Sequence, residues 1–252
     1  MKIIITGAAS GIGRATARLF AHKPHDTAQP ELFIADRESS ALEDTAAELR
    51  QLGAKVDTFA GDLADSAIPA RLIQAAESSL GGIDVLISNA GAIHSTPLAG
   101  LTVPEYDRIF SINTRAAVLL AQAARPALIK TRGAIVATAS IAATHPTEPL
   151  GAYAPSKAAL VMFIRQMALE WGRDGIRCNC VSPGPTLTGM TAGAYADDEM
   201  RRRRASEIPL GRIGTPEDLA NAIHFLAGPG ASFDGGLNTT LMVSNNAAAL
   251  RI

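Results

Sequence analysis

The sequence predicts an α/β fold in which a mostly parallel sheet of seven strands is covered by helices on both faces. Short apolar, β-rich runs alternate with longer helical patterns along the chain. The strand runs are continuously apolar, which is typical of parallel strands that are buried on both faces. This alternation indicates a doubly wound three-layer sandwich. No internal repeat or linker divides the chain, so residues 1–252 are predicted to form a single domain.

The predicted elements follow one another from the first apolar run, KIIIT. The strands are predicted at residues 2–6, 31–36, 55–62, 83–89, 133–140, 176–182 and 239–243. The helices are predicted at residues 12–22, 39–52, 65–80, 104–130, 153–172 and 216–227. The polar segment 22–31 is interpreted as a solvent-facing insertion. The connection at about 185–215 is predicted to be a substrate lid, because loops longer than about 12 residues are uncommon unless they are functional.

Composition favours a globular protein, since 47% of the 252 residues are hydrophobic. The formal net charge of −1 gives no electrostatic reason to expect nucleic acid or an anionic membrane as a partner. The chain has no apolar run near the roughly 18 residues of a membrane helix. Cys178 and Cys180 are the only cysteines, and we interpret them as reduced, buried thiols. A cytoplasmic protein without a metal site is expected.

A glycine-rich turn, TGAASGIG, follows the first predicted strand and opens a helix. Gly7 would allow the tight turn, Gly11 would let a pyrophosphate approach the backbone, and Gly13 would permit close helix packing. Asp36 ends the second strand, where it can accept hydrogen bonds from an adenosine ribose. A purely structural glycine turn is the alternative, but the strand–turn–helix context favours a dinucleotide site.

Further motifs follow in order along the chain: SNAG at 88–91, INT at 112–114, Ser140, YAPSK at 153–157 and SPGPTLT at 182–188. With the TGxxxGxG spacing of the glycine turn, this series resembles the short-chain dehydrogenase/reductase family from about residue 2 to residue 230. The resemblance implies a Rossmann-type fold, a nicotinamide cofactor, a small-molecule substrate and a homo-oligomer, either a tetramer or a dimer.

The resemblance also implies a catalytic tetrad of Asn113, Ser140, Tyr153 and Lys157. Tyr153 and Lys157 lie four residues apart, so the ammonium group can stand near the phenol and favour its ionised form. Ser140 would orient the substrate oxygen, and Asn113 would hold a water that links Lys157 to solvent. The alternatives are a chance Tyr-x-x-x-Lys spacing and an asparagine that only bends its helix.

The cofactor contacts carry over in the same way. Asp62 would meet the adenine amino group, and Asn89 and Gly91 would support the central strand and face the ribose. Pro183 and Gly184 would approach the nicotinamide. The complete set implied by the resemblance is Gly7, Ser10, Gly11, Ile12, Gly13, Asp36, Arg37, Asp62, Leu63, Asn89, Ala90, Gly91, Tyr153, Lys157, Pro183, Gly184, Thr186 and Thr188.

The coenzyme is predicted to be NAD, because the acid at Asp36 accepts from a 2′-hydroxyl and repels a 2′-phosphate. Ser10 occupies a position where NADP-preferring relatives often carry a basic residue. Arg37 and Arg14 lie near enough in sequence to reach a phosphate, so NADP is kept as the alternative.

Three loop residues are candidates for substrate contact: His94, His145 and Glu148. The alternative for each is an ordinary solvated loop residue.

Four consecutive arginines, 201–204, are interpreted as an exposed helix with an Asp197–Arg201 ion pair. The other interpretation is a docking patch for a phosphorylated acyl carrier.

Near its end the chain departs from the family pattern, with Ser244, Asn245 and Asn246 where relatives commonly have Asp-Gly-Gly. This puts assembly and specificity in doubt.

The predicted function is NAD-dependent oxidation of a secondary alcohol of a sugar, polyol or hydroxy acid. The alternatives are an NADPH-dependent 3-oxoacyl-thioester reductase and, from another class, a non-catalytic dinucleotide sensor or scaffold.

Overall fold

The computed structural model describes residues 1–25, 28–232 and 240–243. The strands are β1 Lys2–Thr6, β2 Glu31–Asp36, β3 Lys55–Ala60, β4 Val85–Ser88, β5 Ala134–Thr138, β6 Arg177–Pro183 and β7 Thr240–Val243. The helices are α1 Gly11–His22, α2 Ser39–Gln51, α3 Ile68–Leu80, α4 Val103–Phe110, α5 Ala116–Thr131, α6 Tyr153–Trp171, α7 Asp198–Ser206 and α8 Pro216–Ala227.

The strands form one sheet in the order β3-β2-β1-β4-β5-β6-β7, and its six pairings are all parallel. The predicted fold class is therefore confirmed. The strand order reverses between β1 and β4, and a crevice opens at such a point beyond the carboxyl ends of the strands. The glycine turn after β1 and the SNAG motif after β4 both lie at this crevice.

Two apolar layers enclose the sheet, because successive strand residues point to opposite faces. Ile4, Leu86, Ile135 and Cys178 lie in register on four neighbouring strands and pack under α3, α5 and α6. Their neighbours along the strands, such as Ile5, pack under α1, α2 and α8. Burial on both faces explains why the strands are continuous apolar runs.

The predicted helix at 104–130 is confirmed as a helical stretch from Val103 to Thr131. It is not α-helical throughout, because a π-helical segment, Ser111–Arg115, lies between α4 and α5. A π-helical turn accommodates an extra residue in the helix and re-aims the side chains that it carries. Asn113 lies at the centre of this segment, so the interruption bears directly on its position.

The segment 22–25 and 28–31 is largely exposed, as predicted for an insertion. The ring of His25 nevertheless stacks on His224 of α8 with 3.8 Å between the ring centroids. His25 Nε2 lies 2.9 Å from the His224 carbonyl oxygen. One end of the insertion is therefore anchored to α8.

Arg177, the first residue of β6, closes the C-terminal end of α8. Its two terminal nitrogens donate to the carbonyl oxygens of Leu226 (2.6 Å), Ala227 (3.0 Å), Gly228 (3.2 Å) and Ala231 (3.1 Å). The last carbonyls of a helix have no partner within the helix and carry its negative dipole end. One guanidinium therefore joins α8 to the central sheet.

Replacement of Arg177 by methionine is expected to lower the free energy of unfolding by about 2 to 3 kcal/mol, since charge-assisted hydrogen bonds are stronger than neutral ones. Urea unfolding followed by circular dichroism measures the change. The matched control is Arg173→Met, at an exposed position just after α6. Equal midpoints for the two variants would refute this account of the α8 terminus.

Candidate active site

The glycine turn after β1 disfavours side chains at Gly7, Gly11 and Gly13. Gly11 has φ of +53°, and a Cβ on it would lie 3.4 Å from the Cβ of Thr188 across the crevice. A Cβ on Gly13 would lie 2.1 Å from the Gly7 carbonyl oxygen, so α1 could not approach the turn. The bare backbone at the start of α1 forms a cradle that suits an anionic group such as a pyrophosphate.

Asp36 stands at the edge of this cradle. One of its carboxylate oxygens accepts from the Ala9 amide at 3.0 Å, and the other accepts from the amides of Arg37 (2.7 Å) and Glu38 (3.2 Å). The carboxylate is thereby fixed between the glycine turn and the end of β2. Ser10, at the N-cap of α1, makes no side-chain capping bond and is exposed.

The two arginines that could favour a 2′-phosphate are already in ion pairs. Arg37 Nε lies 3.0 Å from Glu38 Oε1, and Arg14 Nη2 lies 2.7 Å from Glu48 Oε2. Glu48 belongs to α2, so the pair directs Arg14 toward that helix.

Asp62 follows β3 and accepts hydrogen bonds from the Ala64 amide (2.9 Å) and from Arg108 Nη1 (2.7 Å). Burial alone would raise the pKa of Asp62, but these hydrogen bonds and the charge of Arg108 hold its pKa below the usual value. The carboxylate thus stays ionised at the crevice. The side chain of Leu63, by contrast, is buried in the core, which leaves its backbone for any ligand contact.

Asn89 follows β4 and forms hydrogen bonds with residues at the ends of β1 and β5. Its Nδ2 donates to the carbonyl oxygens of Thr6 (3.1 Å) and Gly7 (3.2 Å), and its Oδ1 accepts from Thr138 Oγ1 at 3.0 Å. The Thr6 hydroxyl accepts from the amides of Asn89 and Ala90, at 3.1 Å each. Thr6 and Thr138 are structural partners of the site that the motif analysis missed.

Lys157 lies on α6 with only 4% of its surface exposed. Its Nζ donates to the Thr138 carbonyl oxygen at 2.8 Å and stands 6.0 Å from the centroid of the Tyr153 ring. Burial lowers the pKa of the Lys157 ammonium group to about 8, with Cys180 as its next electrostatic neighbour. The ammonium group is therefore still cationic at neutral pH.

Ser140 and Tyr153 meet through a side-chain hydrogen bond. Burial raises the pKa of the Tyr153 phenol, and the bond with Ser140 acts in the opposite direction. Ser140 Oγ also accepts from the Ala142 amide at 3.1 Å, because Ser140 caps the short 3-10 turn Ile141–Ala143. This turn carries the chain away from β5 and fixes the serine hydroxyl beside the phenol.

Asn113 is 1% exposed and reaches the site from the π-helical segment. Its Oδ1 accepts from the Ala92 amide at 2.9 Å, and its Nδ2 donates to the Ala92 carbonyl oxygen (2.9 Å) and to Ser156 Oγ (3.0 Å). A Cβ on Gly91 would lie 3.0 Å from Asn113 Oδ1 and 3.3 Å from Lys157 Nζ. The missing side chain of Gly91 thus leaves room between these two polar groups.

The three candidate substrate residues lie on exposed loops. His94 Nδ1 is 2.7 Å from Thr96 Oγ1 and 3.4 Å from Glu105 Oε1, which directs its ring toward α4. His145 Nδ1 is 2.8 Å from Thr144 Oγ1. Glu148 is exposed and precedes a cis proline.

The two loops that carry these residues touch each other. Gly151 has φ of +44°, and a Cβ on it would lie 2.1 Å from the Thr96 carbonyl oxygen. The loop after β4 therefore packs directly against the turn that leads into Tyr153. This contact joins the loop that carries His94 to the loop that carries His145.

The segment predicted to be a lid, at about 185–215, follows the end of β6 at Pro183 and Gly184. Thr186 Oγ1 donates to the Gly184 carbonyl oxygen at 2.9 Å, and Thr188 N donates to Thr191 Oγ1 at 3.0 Å. Residues 198–206 form α7, as predicted for an exposed helix with the four arginines. The predicted Asp197–Arg201 pair is wrong, because Asp197 precedes the helix and caps it by accepting from the Glu199 amide at 3.0 Å.

A cavity of about 490 Å³ opens between the predicted lid and the glycine turn. Gly11 lies on one side of it, and Thr188, Tyr195 and Arg201 lie on the other.

Within the described ranges, no group of three or more His, Cys, Asp or Glu side chains could hold a metal ion. The described helices include none that is long and apolar enough to cross a membrane.

Comparison with known proteins gives consistent matches along most of the chain. A family model described as "Enoyl-(Acyl carrier protein) reductase" matches residues 7–241. L-rhamnose 1-dehydrogenase (NAD(P)(+)) of Sphingomonas sp. strain SKA58 is 34% identical over 249 residues, which cover 95% of this chain and 96% of that protein. Meso-2,3-butanediol dehydrogenase of Serratia marcescens is 33% identical over 236 residues, which cover 94% and 90%.

Solved structures agree with these sequence matches. The structure of 7α-hydroxysteroid dehydrogenase complexed with NADH and 7-oxoglycochenodeoxycholic acid matches with a TM-score of 0.88 at 31% identity. The match covers 96% of this chain and 92% of that chain.

Proposed function

The chain belongs to the short-chain dehydrogenase/reductase family, and we propose that it oxidises a secondary alcohol of a sugar, polyol or hydroxy acid with NAD. It is an enzyme of the kind that acts on CH–OH groups. The observation that carries the proposal is the convergence of Ser140, Tyr153 and Lys157 on one point of the crevice, with Asn113 behind them.

Tyr153 is proposed as the acid/base and Ser140 as the group that orients the substrate oxygen. In oxidation, the phenolate of Tyr153 takes the hydroxyl proton of the alcohol. The Ser140 hydroxyl, held beside the phenol, donates to the same oxygen and fixes its position. When bound, the nicotinamide supplies the hydride acceptor.

Lys157 is proposed to stabilise the phenolate and to pass the proton onward. Burial opposes ionisation of Tyr153, so a nearby cation is needed if the phenol is to act near neutral pH. The ammonium group of Lys157 supplies this charge from a position fixed by its bond to Thr138. A water between Lys157 and Asn113 Oδ1, beside Gly91, would link the ammonium group to solvent.

NAD is proposed as the preferred coenzyme. The carboxylate of Asp36 is fixed at the edge of the cradle, where it favours a ribose diol over a phosphate. Arg37 and Arg14, which could bind a 2′-phosphate, are paired with Glu38 and Glu48. Among the relatives, one name specifies NAD(P)(+) and one solved complex contains NADH.

A polyhydroxylated substrate is favoured because two relatives, named for L-rhamnose and meso-2,3-butanediol, act on such compounds. His94 and His145, whose loops touch at Thr96 and Gly151, are proposed to contact the substrate. The proposal includes a cytoplasmic, single-domain protein that forms a homo-oligomer. The exposed apolar side chains Met162 (60%) and Phe163 (45%) on α6 support such an assembly.

The test measures nicotinamide reduction with NAD⁺ and with NADP⁺ across sugars, polyols, hydroxy acids, steroids and 3-hydroxyacyl thioesters. The expected result is a kcat/KM at least about tenfold higher with NAD⁺ on a polyhydroxylated alcohol, which corresponds to a difference of about 1.4 kcal/mol, because Asp36 repels a 2′-phosphate. Asp36→Asn is expected to reduce the ratio of kcat/KM for NAD⁺ to kcat/KM for NADP⁺, because it weakens the repulsion between residue 36 and a 2′-phosphate.

Three results would overturn parts of this proposal. A preference for NADP⁺ would refute the coenzyme assignment. Activity confined to acyl thioesters would replace the substrate class with a 3-oxoacyl-thioester reductase. Dinucleotide binding without turnover of any compound would support the non-catalytic sensor or scaffold.

A further inference from the structure

The cavity between the glycine turn and the lid has walls of unlike chemistry. One wall contains Gly11, where the amides of the first turn of α1 begin. The opposite wall is formed by the lid, including Thr188, Tyr195 and Arg201. Among the residues that line this cavity, Arg201 carries the charge. Arg201 and the N-terminus of α1, which suits an anion, thus line the same cavity.

The present contacts of Arg201 are exchangeable. Its Nε donates to the Tyr195 carbonyl oxygen at 3.0 Å, and its Nη1 lies 3.5 Å from Asp198 Oδ1. The Asp198 side chain is 76% exposed, and ion pairs between exposed groups contribute little. A guanidinium offers five donors in a rigid fork, so it can exchange such a pair for a bidentate contact with a phosphate.

The two arginines near the cradle do not line the cavity. Arg14 pairs with the partly buried Glu48 at 2.7 Å, and Arg37 forms an exposed pair with its neighbour Glu38 at 3.0 Å. A pyrophosphate carries two negative charges, and the dipole of one helix N-terminus is equivalent to only about half a positive charge. The cavity therefore has a charge requirement that the glycine turn does not satisfy alone.

We propose that Arg201 binds the pyrophosphate of the dinucleotide from the lid and makes closure of the lid depend on the cofactor. This inference rests on the proposed function, since it requires that the crevice hold a dinucleotide. The neighbouring arginines have other surroundings: Arg204 pairs with Glu207 at 3.1 Å, and Arg202 does not line the cavity. The four arginines thus differ in role, although the sequence places them side by side.

The first test measures Kd for NADH, ADP-ribose and adenosine with Arg201→Met and with the matched control Arg202→Met. Arg201→Met is expected to raise the Kd of NADH and of ADP-ribose by about tenfold to 100-fold, the loss typical of a charge-assisted bond. The Kd of adenosine, which has no phosphate, is expected to change by less than about twofold. Arg202→Met is expected to change all three by less than about twofold, and Arg201→Lys is expected to restore part of the affinity.

The second test uses limited trypsin digestion, because α7 presents several arginines to the protease. ADP-ribose is expected to protect α7 of the wild-type protein, and adenosine is not. In Arg201→Met the remaining arginines of α7 are still cleavable, and protection by ADP-ribose is expected to be lost. In Arg202→Met protection is expected to persist.

The outcomes separate this inference from the proposed function. If wild type binds NADH and turns over, but Arg201→Met and Arg202→Met have equal Kd values, the role of Arg201 is refuted and the function stands. If Arg201→Met raises only the KM of the alcohol, Arg201 belongs to the substrate site and the inference is refuted. If wild type binds neither NADH nor NADPH, both proposals fail.

Discussion

Replacement of Tyr153 by phenylalanine is expected to lower kcat by about 10²-fold to 10⁴-fold while the Kd of the dinucleotide changes little. The range is that of general acid–base catalysis by one positioned side chain. The change removes only the phenolic oxygen and its bond to Ser140, and the ring remains beside Lys157. Steady-state kinetics and a fluorescence titration with NADH measure the two quantities.

The matched control is Tyr106→Phe. Tyr106 lies on α4, is 45% exposed and stacks on Phe110 with 4.4 Å between the ring centroids. This variant loses a phenolic oxygen outside the site, so its kcat is expected to stay within about twofold of wild type. Wild-type turnover by Tyr153→Phe would remove Tyr153 from the mechanism.

The sheet was predictable because both of its faces are buried. Continuous apolar runs such as the one at 2–6 have no other simple explanation in a globular protein. Most observed strand ends lie within two residues of the predicted ends. The last predicted strand, 239–243, begins outside the described residues and is observed from Thr240 to Val243. The sequence differs from the family pattern at Ser244, Asn245 and Asn246, and these residues also lie outside the described residues.

The local geometry at Asn113 was not predictable from periodicity. A π-helical segment of five residues shifts the helical pattern too briefly to change the alternation of apolar and polar positions. Only the packed structure reveals that Asn113 is held by Ala92 and Ser156.

The hydrogen-bond partners of the site come from distant strand ends, which motif spacing does not report. Thr138 receives the Lys157 ammonium group on its carbonyl oxygen and donates its hydroxyl to Asn89. One signal was available: Thr138 precedes Ser140 by two residues, and strand residues two apart share a face. Polar residues on that face at the end of a buried strand are candidates for the site.

The Asp197–Arg201 prediction failed for a different reason. Side chains four residues apart meet only when both lie within the helix. Asp197 is the N-cap, in an extended conformation with ψ of 129°, so its carboxylate turns back to the amide of Glu199. Arg201 pairs instead with Asp198, three residues earlier on α7, at 3.5 Å, and it also lines the cavity.

Replacement of Lys157 by methionine is expected to abolish most turnover and yet to stabilise the fold at neutral pH. In the native state the pKa of Lys157 is lowered to about 8, whereas the pKa of a lysine in the unfolded chain is about 10.4. Below pH 8 the folded protein carries the full cost of a buried charge. Between about pH 8 and 10.4 the unfolded state binds more protons than the native state, so wild-type stability gains with rising pH from this group.

The stability advantage of Lys157→Met over wild type is therefore expected to be largest near pH 7 and to shrink as the pH rises toward 10. The lost bond to the Thr138 carbonyl oxygen reduces this advantage. Urea unfolding at pH 7, 8.5 and 10 measures the trend, with the exposed Lys130→Met as a control that is expected to show no such trend. A stability difference independent of pH would refute the buried-charge account, and near-normal kcat in Lys157→Met would refute its role beside Tyr153. A loss of turnover together with a gain of stability would show that the fold tolerates this buried cation for the sake of the phenol beside it.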